Sequence, residues 1–341
     1  MKVLIAGEAA IHLHNYCRAI RPYLQGMQVI TETTTDVASS DKTYQISLRS
    51  KHPLAWRKAI KEIRKILVEF KPDVIHLHQV NRLALLVTTA AKPLHIPIIT
   101  TAWGSDVLLV PERNFIYKFF TKYVLGHSGI ITADAQIMID RMLTMDPVTS
   151  KYVLLQYGID PITPVEKEKI IYSNRLHRPL YRIDTIIHDF AKFYQHHPDW
   201  RLLVGATGPE TEQLEALVKQ LDLENVVTFA GWLNKEQNNE NYAKATIYVS
   251  IPESDGTSVS LLEAMSADCI PVVSDLPVTH EWIKDGVNGI IRREGIDPFE
   301  AALQLDKAQC FAQNRQLISE KVDRKNTTAH FYQLYQQLLK R

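Results

Sequence analysis

No apolar run in the sequence reaches the roughly 18 residues that a membrane-spanning helix needs. The three cysteines, Cys17, Cys269 and Cys310, lie far apart without metal-ligand spacing, which indicates reduced packing residues in a cytoplasmic protein. The first apolar stretch, Lys2–Ala6, is too short for the core of a signal peptide and predicts a buried strand. Because no Gly-x-Gly-x-x-Gly follows that strand and no nucleic-acid motif is present, we expect neither a dinucleotide-dependent dehydrogenase nor a nucleic-acid-binding protein.

The composition is that of an ordinary globular protein, with 45% hydrophobic and 23% charged residues among 341. This length predicts two domains. The net charge of +1 conceals an uneven distribution along the chain. Residues 1–160 hold 19 Lys and Arg against 13 Asp and Glu, residues 161–306 hold 13 against 23, and residues 307–341 hold 7 against 2. A basic first half and a basic tail therefore flank an acidic middle, a pattern that usually concerns a binding partner.

Strand and helix signals alternate along the chain in two passes, with no internal repeat and no low-complexity segment. Strands are predicted at residues 2–6, 29–31, 74–78, 97–101 and 130–132, and then at 169–173, 201–205, 226–229, 246–251 and 271–274. Helices are predicted at residues 12–24, 54–70, 213–221, after Gly256 and at about 330–341. A Gly/Pro-rich segment, Gly158–Pro164, suits a linker between the passes. The alternation predicts an α/β protein with two doubly wound domains of parallel strands, residues 1–160 and 161–324.

The segment Ile251–Met265, IPESDGTSVSLLEAM, follows a buried strand and leads into an apolar helix. This order places Asp255–Ser258 at a helix N-terminus, whose outward N–H groups and macrodipole favour an anion. Asp255 and Glu263 flank the anion site with two carboxylates that are suited to hold hydroxyl groups. The spacing of Ser260 and Glu263 also fits a capping box, in which Glu263 only satisfies amides of its own helix. The segment alone therefore fits either a phosphate site or a structural helix cap.

The longer string resembles the signature of retaining glycosyltransferases with the GT-B fold, family 4-like, in which Glu-x7-Glu is followed by Ala-Met. The match lies at Gly256 and at Leu261–Met265, while Asp255 stands where the family has its first Glu. The resemblance implies two facing Rossmann-like domains with a cleft between them. It implies that the N-terminal domain binds the acceptor and the C-terminal domain binds a nucleotide sugar. It also implies that the last helix, at about residues 325–341, completes the N-terminal domain.

A basic segment after the first strand of the second pass extends the resemblance. Residues 172–184, YSNRLHRPLYRID, are similar to the family's Gly-Arg-Leu…Lys-Gly-x-Asp segment, whose Arg and Lys hold the donor diphosphate. Arg175 matches the family Arg, and the family Lys falls at Tyr181 or Arg182. Fixed guanidinium groups, including that of Arg178, would stabilise the charge that a leaving nucleoside diphosphate gains as the glycosidic bond breaks. The alternative is a solvated basic loop.

Three glycine-containing turns complete the donor side. Gly208 lies in a Gly-Ala-Thr-Gly-Pro turn that is similar to the family's Gly-x-Gly-Pro, and Gly231 lies in a Phe-x-Gly segment that borders the nucleobase in the family. Gly7 follows the first strand, where this fold presents a Gly-rich loop to donor and acceptor. Taken singly, such turns fit a structural role equally well. The resemblance implies donor contacts from Gly7, Arg178, Arg182, Gly208, Gly231, Gly256, Thr257, Ser258 and Val259, and catalytic roles for Arg175, Asp255 and Glu263.

The N-terminal half contributes the candidates for the acceptor side. Trp103 begins a Trp-Gly-Ser-Asp stretch that resembles a His-Gly-Ser-Asp stretch of the family, so Trp103 replaces the histidine that lies near the reacting sugar. Asp106, in the same stretch, either contacts an acceptor hydroxyl or caps the next turn. His78 ends a strand and His12 lies soon after the end of one, at the edge where this fold binds ligands. We expect His78 to line the cleft and His76 to be buried.

The spacing of the histidines also raises the question of a metal site. His76 and His78 are two apart on a strand and so share one face, whereas His12 and His14 begin a helix and diverge. No Cys or carboxylate set with zinc spacing accompanies either pair, so we expect no metal.

A basic stripe lies on the predicted helix 54–70, where Lys58, Lys61 and Lys65 are opposite the apolar face. A solvated helix face is one explanation. Peripheral contact of the basic N-terminal lobe with an anionic membrane surface is the other, since each basic residue near such a surface adds about 1 kcal/mol.

Together these patterns predict a retaining, metal-independent glycosyltransferase. It would move a hexose-type sugar from a nucleotide-diphosphate sugar, with a UDP-sugar favoured, to a glycan or lipid-linked glycan in surface polysaccharide or lipopolysaccharide biosynthesis. The resemblance implies that the leaving phosphate itself receives the acceptor proton, without any other cofactor. Two alternatives share the fold: a nucleotide-sugar 2-epimerase, which needs no acceptor, and a non-catalytic partner subunit.

Overall fold

The computed structural model describes residues 1–33, 35–48 and 52–340, and the chain divides into two compact units. Unit 1 comprises Met1–Gly158 together with the C-terminal segment that begins at Arg324, and unit 2 comprises Ile159–Asp323. The boundary falls in the Gly/Pro-rich segment that follows Tyr157. Among the described residues, no helix has both the length and the apolar character that crossing a membrane requires.

Unit 1 is built on a parallel sheet whose central strands are fully buried. Its strands are β1 Lys2–Ala6, β2 Gly26–Thr31, β3 Lys42–Gln45, β4 Val74–His78, β5 Ile98–Thr101, β6 Ile130–Ala133 and β7 Tyr152–Leu154. Their order in the sheet is β3-β2-β1-β4-β5-β6-β7, with every neighbouring pair parallel. Strands that are buried on both faces need apolar residues at successive positions, which explains the uninterrupted Val/Ile/Leu runs in this half of the sequence.

Helices connect these strands and cover the sheet. They are α1 Ile11–Ile20, α2 Pro53–Phe70, α3 Arg82–Ala91, α4 Ser105–Leu108, α5 Phe115–His127 and α6 Gln136–Leu143. In α2, Ile63 and Leu67 are buried while Lys58, Lys61 and Lys65 are exposed, so the predicted amphipathic division of this helix is confirmed.

Unit 2 repeats the architecture. Its strands are β8 Glu168–Ser173, β9 Arg201–Gly205, β10 Val227–Gly231, β11 Ala245–Ser250, β12 Ile270–Val273 and β13 Ile290–Ile291. Its helices are α7 Ile183–Tyr194, α8 Thr211–Gln220, α9 Lys235–Lys244, α10 Val259–Ser266, α11 Pro298–Leu303 and α12 Lys307–Lys321. The sheet order is β10-β9-β8-β11-β12-β13, again all parallel. Within this unit the strands therefore follow the third-second-first-fourth-fifth-sixth order of a Rossmann fold.

Two apolar clusters, one on each face of the unit 2 sheet, show that it is doubly wound. Val249 of β11 packs in a cluster with residues of α7, α8 and α11, whereas the preceding residue, Tyr248, packs in a cluster with residues of α9, α10 and α12. Successive strand residues point to opposite faces, so each face has its own layer of helices. The predicted α/β class with two doubly wound parallel sheets is confirmed.

The last helix, α13 Arg324–Leu339, packs on unit 1. Its buried residues Phe331, Leu334 and Leu338 join the apolar cluster of α1, β1 and β2. The buried hydroxyl of Tyr335 lies 2.6 Å from that of Tyr16 and 2.6 Å from Nδ1 of His76. The helix begins six positions before the start that the pattern predicts and one before the start that the resemblance implies, and Arg341 lies outside the described residues.

Some elements escape the sequence prediction. The edge strand β3 was not predicted because its pattern, Lys-Thr-Tyr-Gln, is polar and half exposed. Helices α3, α5 and α6 also lie in stretches that had no predicted element. The predicted helix 12–24 is too long, because Pro22 limits residues 21–23 to a single 3₁₀ turn after α1.

Candidate functional site

The strand order of unit 2 reverses between β8 and β11. In open parallel sheets, ligands bind at this reversal, beyond the carboxyl ends of the strands. The loop after β8 carries Arg175 and the loop after β11 carries Asp255. Nη2 of Arg175 donates to Oδ2 of Asp255 at 2.7 Å, and Nη1 donates to Oγ of Ser258 at 2.7 Å. Two of the three predicted catalytic residues are thus in direct contact.

The guanidinium of Arg175 is held in place from several sides. Its side chain is only 12% exposed, and it lies 4.4 Å from the ring centroid of Tyr181. Burial alone would lower the pKa of Arg175, but the charge of Asp255 and the hydroxyls of Tyr248 and Tyr181 raise it above its usual value. Arg175 is therefore a fixed cation, which is what stabilisation of a developing negative charge requires.

The loop after β11 ends at the N-terminus of α10. Ser258 has an extended backbone (φ −72°, ψ 113°), and its side chain accepts from the N–H of Leu261 at 3.4 Å. Ser258 rather than Ser260 is therefore the N-cap, and the capping box of Ser260 and Glu263 is wrong, because Glu263 lies in the second turn. The side chain of Glu263 is partly exposed. Nε1 of Trp282 donates to Oγ1 of Thr257 at 3.3 Å and supports the loop from the other side.

The other two predicted arginines occupy different settings. Arg178 is exposed and precedes the 3₁₀ turn Pro179–Tyr181. Arg182 has a left-handed backbone (φ 54°) and immediately precedes α7. It lines a cavity of about 370 Å³ with Arg292 and three acidic residues, which are Glu253, Asp275 and Glu294. The charges around Arg182 are mixed, so its contact with a diphosphate stays a prediction.

The turn at Gly208 packs against the segment that carries Arg175. A Cβ atom at Gly208 would overlap with the carbonyl group of His177 and lie 2.9 Å from its backbone nitrogen. The fully buried His177 ring lies 2.8 Å from Oγ1 of Thr211 and 3.2 Å from the carbonyl oxygen of Gly205. Gly208 therefore lets the loops after β8 and β9 approach each other, and His177 holds them together.

The surroundings of Gly231 are more open than those of Gly208. Gly231 ends β10 with a left-handed backbone (φ 66°), after an irregular register at Phe229, and a Cβ atom there would meet nothing within 4 Å. Its glycine is explained by the backbone conformation alone. Gly256 lies beside Thr257 in the loop before α10 and is half-buried.

Unit 1 has its own reversal of strand order, between β1 and β4, and Gly7 and His78 lie there. A Cβ atom at Gly7 would be 2.8 Å from the Cβ of His78, so glycine allows the two strand ends to approach. The expectation that His78 lines the cleft is wrong, because its side chain is fully buried. The rings of Tyr16 and Trp103 pack against it, with centroids 4.6 and 6.3 Å away, and Tyr157 lies 3.2 Å from its Nδ1.

Burial also sets the charge of this histidine pair. It lowers the pKa of His78 to about 3 and that of His76 well below its usual value, so both rings are neutral at neutral pH. His76 lies 2.6 Å from the Tyr335 hydroxyl and 2.7 Å from Oγ1 of Thr101, so both of its ring nitrogens have partners. No group of three or more His, Cys, Asp or Glu within the described ranges is arranged to hold a metal ion.

Asp106 acts as a backbone cap between two loops. Its Oδ2 accepts from the N–H of Val80 at 2.7 Å and its Oδ1 accepts from the N–H of Trp103 at 3.0 Å. Nε1 of Trp103 donates to the Tyr157 hydroxyl at 2.5 Å, and the half-buried ring of His12 makes an edge contact with Trp103 at 5.7 Å. Asp106 lies inside α4, whose N-cap is Gly104, so the alternative in which it caps the next turn is wrong, while an acceptor contact stays a prediction.

Two family models match the chain. Residues 160–310 match the model of the glycosyl transferases group 1, and residues 2–135 match that of the glycosyl transferase 4-like proteins. The chain belongs to the group 1 glycosyltransferases. The solved structure of Anabaena HepE in complex with UDP and glucose is similar to this group 1 member, with a TM-score of 0.82 and 14% identity over 99% of this chain and 100% of that one. The predicted GT-B fold is confirmed.

Curated relatives of this group 1 member match it over part of their length. The N-acetyl-α-D-glucosaminyl L-malate synthase of Bacillus anthracis is 24% identical over 65% of this chain and 62% of its own length. An exopolysaccharide phosphotransferase of Streptomyces coelicolor is 30% identical over 39% of this chain and 14% of its own length. The chain thus spans less than two thirds of either relative.

Several residues of the site are not indicated by sequence patterns. The resemblance marks Tyr181 only as a possible substitute for the family Lys, but its ring lies against the Arg175 guanidinium. His177 and Tyr157 carry no motif, and their contacts come from segments 34 and 54 positions away. A signal for His177 existed in Gly208, since a glycine in a tight turn indicates that another backbone lies close.

Proposed function

We propose that this chain is a retaining glycosyltransferase that moves a hexose-type sugar from a nucleotide-diphosphate sugar to a glycan or lipid-linked acceptor. The contact of Arg175 with Asp255 and Ser258 at the start of α10 is the observation that carries the proposal. It combines a fixed guanidinium, a helix N-terminus and a carboxylate at the strand reversal of unit 2. A diphosphate is held by the first two, and a sugar hydroxyl is held by the third.

Each residue of the site then has a chemical role in donor binding. The N–H groups of Gly256–Val259 and the Arg175 guanidinium bind the diphosphate, with Arg182 and Arg178 as further cations. Glu263 accepts hydrogen bonds from the ribose hydroxyls, and Asp255 accepts one from the sugar. The complex of HepE with UDP and glucose supports a UDP-sugar as the donor.

The reaction breaks the bond between the anomeric carbon and the β-phosphate oxygen. Negative charge grows on that oxygen, and the guanidinium of Arg175 stabilises it more in the transition state than in the ground state. The acceptor oxygen forms its bond to the same face of the anomeric carbon, and its proton passes to the departing phosphate. The departing phosphate takes up the proton that the acceptor loses, so this scheme needs no metal ion and no protein base.

Acceptor binding falls to unit 1 in this proposal, near His12, Trp103 and Asp106. The exposed lysines of α2 support a further contact with an anionic membrane surface, where acceptors of surface polysaccharide synthesis reside. The buried His78 would act through Trp103 and Tyr157, since its own side chain does not reach the surface.

The proposal is tested by thermal unfolding with UDP-, GDP- and ADP-sugars, because a donor that binds only the folded state raises the melting temperature. Nucleotide release is then measured with the stabilising donor, with and without acceptor glycans. Release that depends on an acceptor supports the transferase. Isomerisation of the donor by the protein alone would indicate a 2-epimerase, and binding without turnover would indicate a partner subunit.

A further inference from the structure

A cavity of about 540 Å³ lies within unit 1, beside the segments that follow β4 and β5. Its volume is in the range of small-molecule sites. One wall is apolar and is formed by Trp56 of α2 and by Ile116, Tyr117 and Phe120 of α5. The ring centroids of Trp56 and Phe120 are 5.9 Å apart, so the two helices form one continuous wall.

The rest of the lining is largely polar and carries positive charge. It includes Arg82, which follows β4, and the exposed Arg113, which precedes α5. Among the described lining residues, Asp106 is the one carboxylate, and both of its oxygens already accept backbone N–H groups. Arg82 also forms an ion pair with Glu32, with an N–O distance of 3.7 Å. Two arginines therefore line a cavity whose one carboxylate is engaged, an arrangement that suits an anion.

The apolar wall continues onto the surface of α5. Phe115 is 81% exposed and Phe119 is 62% exposed, and both are next to wall residues in the helix. Large exposed aromatic side chains on successive turns form an apolar patch, and such patches mark binding surfaces. Lys118 and Lys122 are exposed on the same helix, so this apolar surface is accompanied by further positive charge.

The geometry points to a site for a phosphate or diphosphate group carried on an apolar chain, as in a lipid-linked acceptor. The phosphate binds the guanidinium groups of Arg82 and Arg113, and the chain lies against Trp56, Ile116 and Phe120. A neutral glycan would gain little from two guanidinium groups and would leave the aromatic surface of α5 unused. Naming this ligand an acceptor rests on the proposed transferase function, whereas the binding itself does not.

The test is a calorimetric titration of the full chain, without donor, with farnesyl phosphate, farnesol and inorganic phosphate. We expect farnesyl phosphate to bind at least about tenfold more tightly than farnesol, because the guanidinium groups form charge-assisted hydrogen bonds to phosphate. Arg113→Gln should weaken the binding of farnesyl phosphate by about tenfold and leave the affinity for farnesol unchanged. Arg18→Gln, at an exposed arginine of α1, is the matched control and should change neither.

A second variant tests the apolar wall. Ile116→Ser, at a side chain that is 46% exposed, should weaken the binding of farnesyl phosphate and of farnesol to the same extent. Equal affinity for farnesyl phosphate and farnesol, no binding of either, or an unchanged affinity in Arg113→Gln would each overturn the inference. The rise in melting temperature that nucleotide sugars cause, measured separately on the same variants, distinguishes the two proposals. If no nucleotide sugar raises the melting temperature, the proposed transferase function is contradicted. If a nucleotide sugar still raises it but farnesyl phosphate does not bind, only the proposed lipid phosphate site is contradicted.

Discussion

Arg175 and Asp255 are 80 positions apart in the chain, yet they form an ion pair with an N–O distance of 2.7 Å. Each lies just beyond the carboxyl end of a central strand, β8 or β11, and these strands are neighbours in the sheet. The pair therefore follows from the strand order rather than from sequence proximity. Because each residue is the other's partner, their substitutions should be non-additive.

Asp255 should decide which donor sugar is accepted. We expect Asp255→Asn to lower kcat/KM about tenfold or more, because a hydrogen bond to a charged acceptor is lost and Arg175 loses its counter-charge. Asp255→Glu restores the acid that is usual in the family, with a longer reach, and should change the order of preference among sugars. The measurement is kcat/KM for a panel of sugars on the same nucleotide.

The control for this series is Glu253→Gln, at an exposed acid in the same loop, which should leave the sugar preference unchanged. A preference that is the same in the wild type, Asp255→Asn and Asp255→Glu would exclude a contact of residue 255 with the sugar.

Gly208→Ala should destabilise the protein by about 1–3 kcal/mol, because the new methyl group would overlap with the backbone of His177. Gly126→Ala is the control, since nothing lies within 4 Å of a Cβ atom there and the residue is inside α5. That change should raise stability by up to about 1 kcal/mol. Urea unfolding of both variants gives the comparison, and a Gly208→Ala protein as stable as the wild type would show that the turn is not tightly packed.

Stability should fall on mild acidification because of the two buried histidines. Burial lowers the pKa of His78 to about 3 and that of His76 well below its usual value, so the unfolded chain binds protons first as the pH falls below about 6.5. The free energy of unfolding is therefore highest above that pH and should decrease by up to about 1.4 kcal/mol per pH unit for each histidine.

Urea unfolding from about pH 7 to about pH 4 measures this slope. His78→Gln removes one titrating group and should make the dependence shallower. A slope in His78→Gln that equals that of the wild type would show that His78 is not held neutral in the folded protein.

Binding to anionic vesicles should depend on α2. Replacing Lys58, Lys61 and Lys65 by Ser removes three exposed charges, at about 1 kcal/mol each, and should weaken co-sedimentation with phosphatidylglycerol vesicles by about a hundredfold. The matched control replaces three exposed lysines of unit 2, which are Lys192, Lys219 and Lys244. An equal loss of vesicle binding in both triple variants would mean that the membrane contact is unspecific. No loss of vesicle binding in the α2 variant would exclude α2 from the membrane contact.

The sequence predicts the sheets and the donor loop well because these features are local. Apolar runs identify the central strands, and Ile251–Met265, which directly follows β11, contains the loop and the helix start in fifteen consecutive residues. The edge strand β3 was missed because an exposed strand needs no apolar pattern. The fold therefore follows largely from patterns shorter than twenty residues.

The contacts of the site are not predictable in this way. Sequence resemblance indicates Arg175 and Asp255, but neither their ion pair nor the Tyr181 ring beside Arg175 follows from spacing. His78 was expected at a surface because it ends a strand, and it is buried because Tyr16, Trp103 and Tyr157 close over it. Such burial depends on residues from four separate segments, which no local pattern contains.

The most direct test of the account is the nucleotide-release rate of Arg175→Ala and Arg175→Lys at saturating donor, with donor affinity measured in parallel. We expect Arg175→Ala to lower the rate by about a hundredfold or more while donor affinity changes by less than about tenfold, since the guanidinium acts mainly on charge that develops in the transition state. Arg175→Lys, which keeps the charge, should recover part of the rate. An Arg175→Ala protein that is folded, binds the donor and releases nucleotide at the wild-type rate would contradict it.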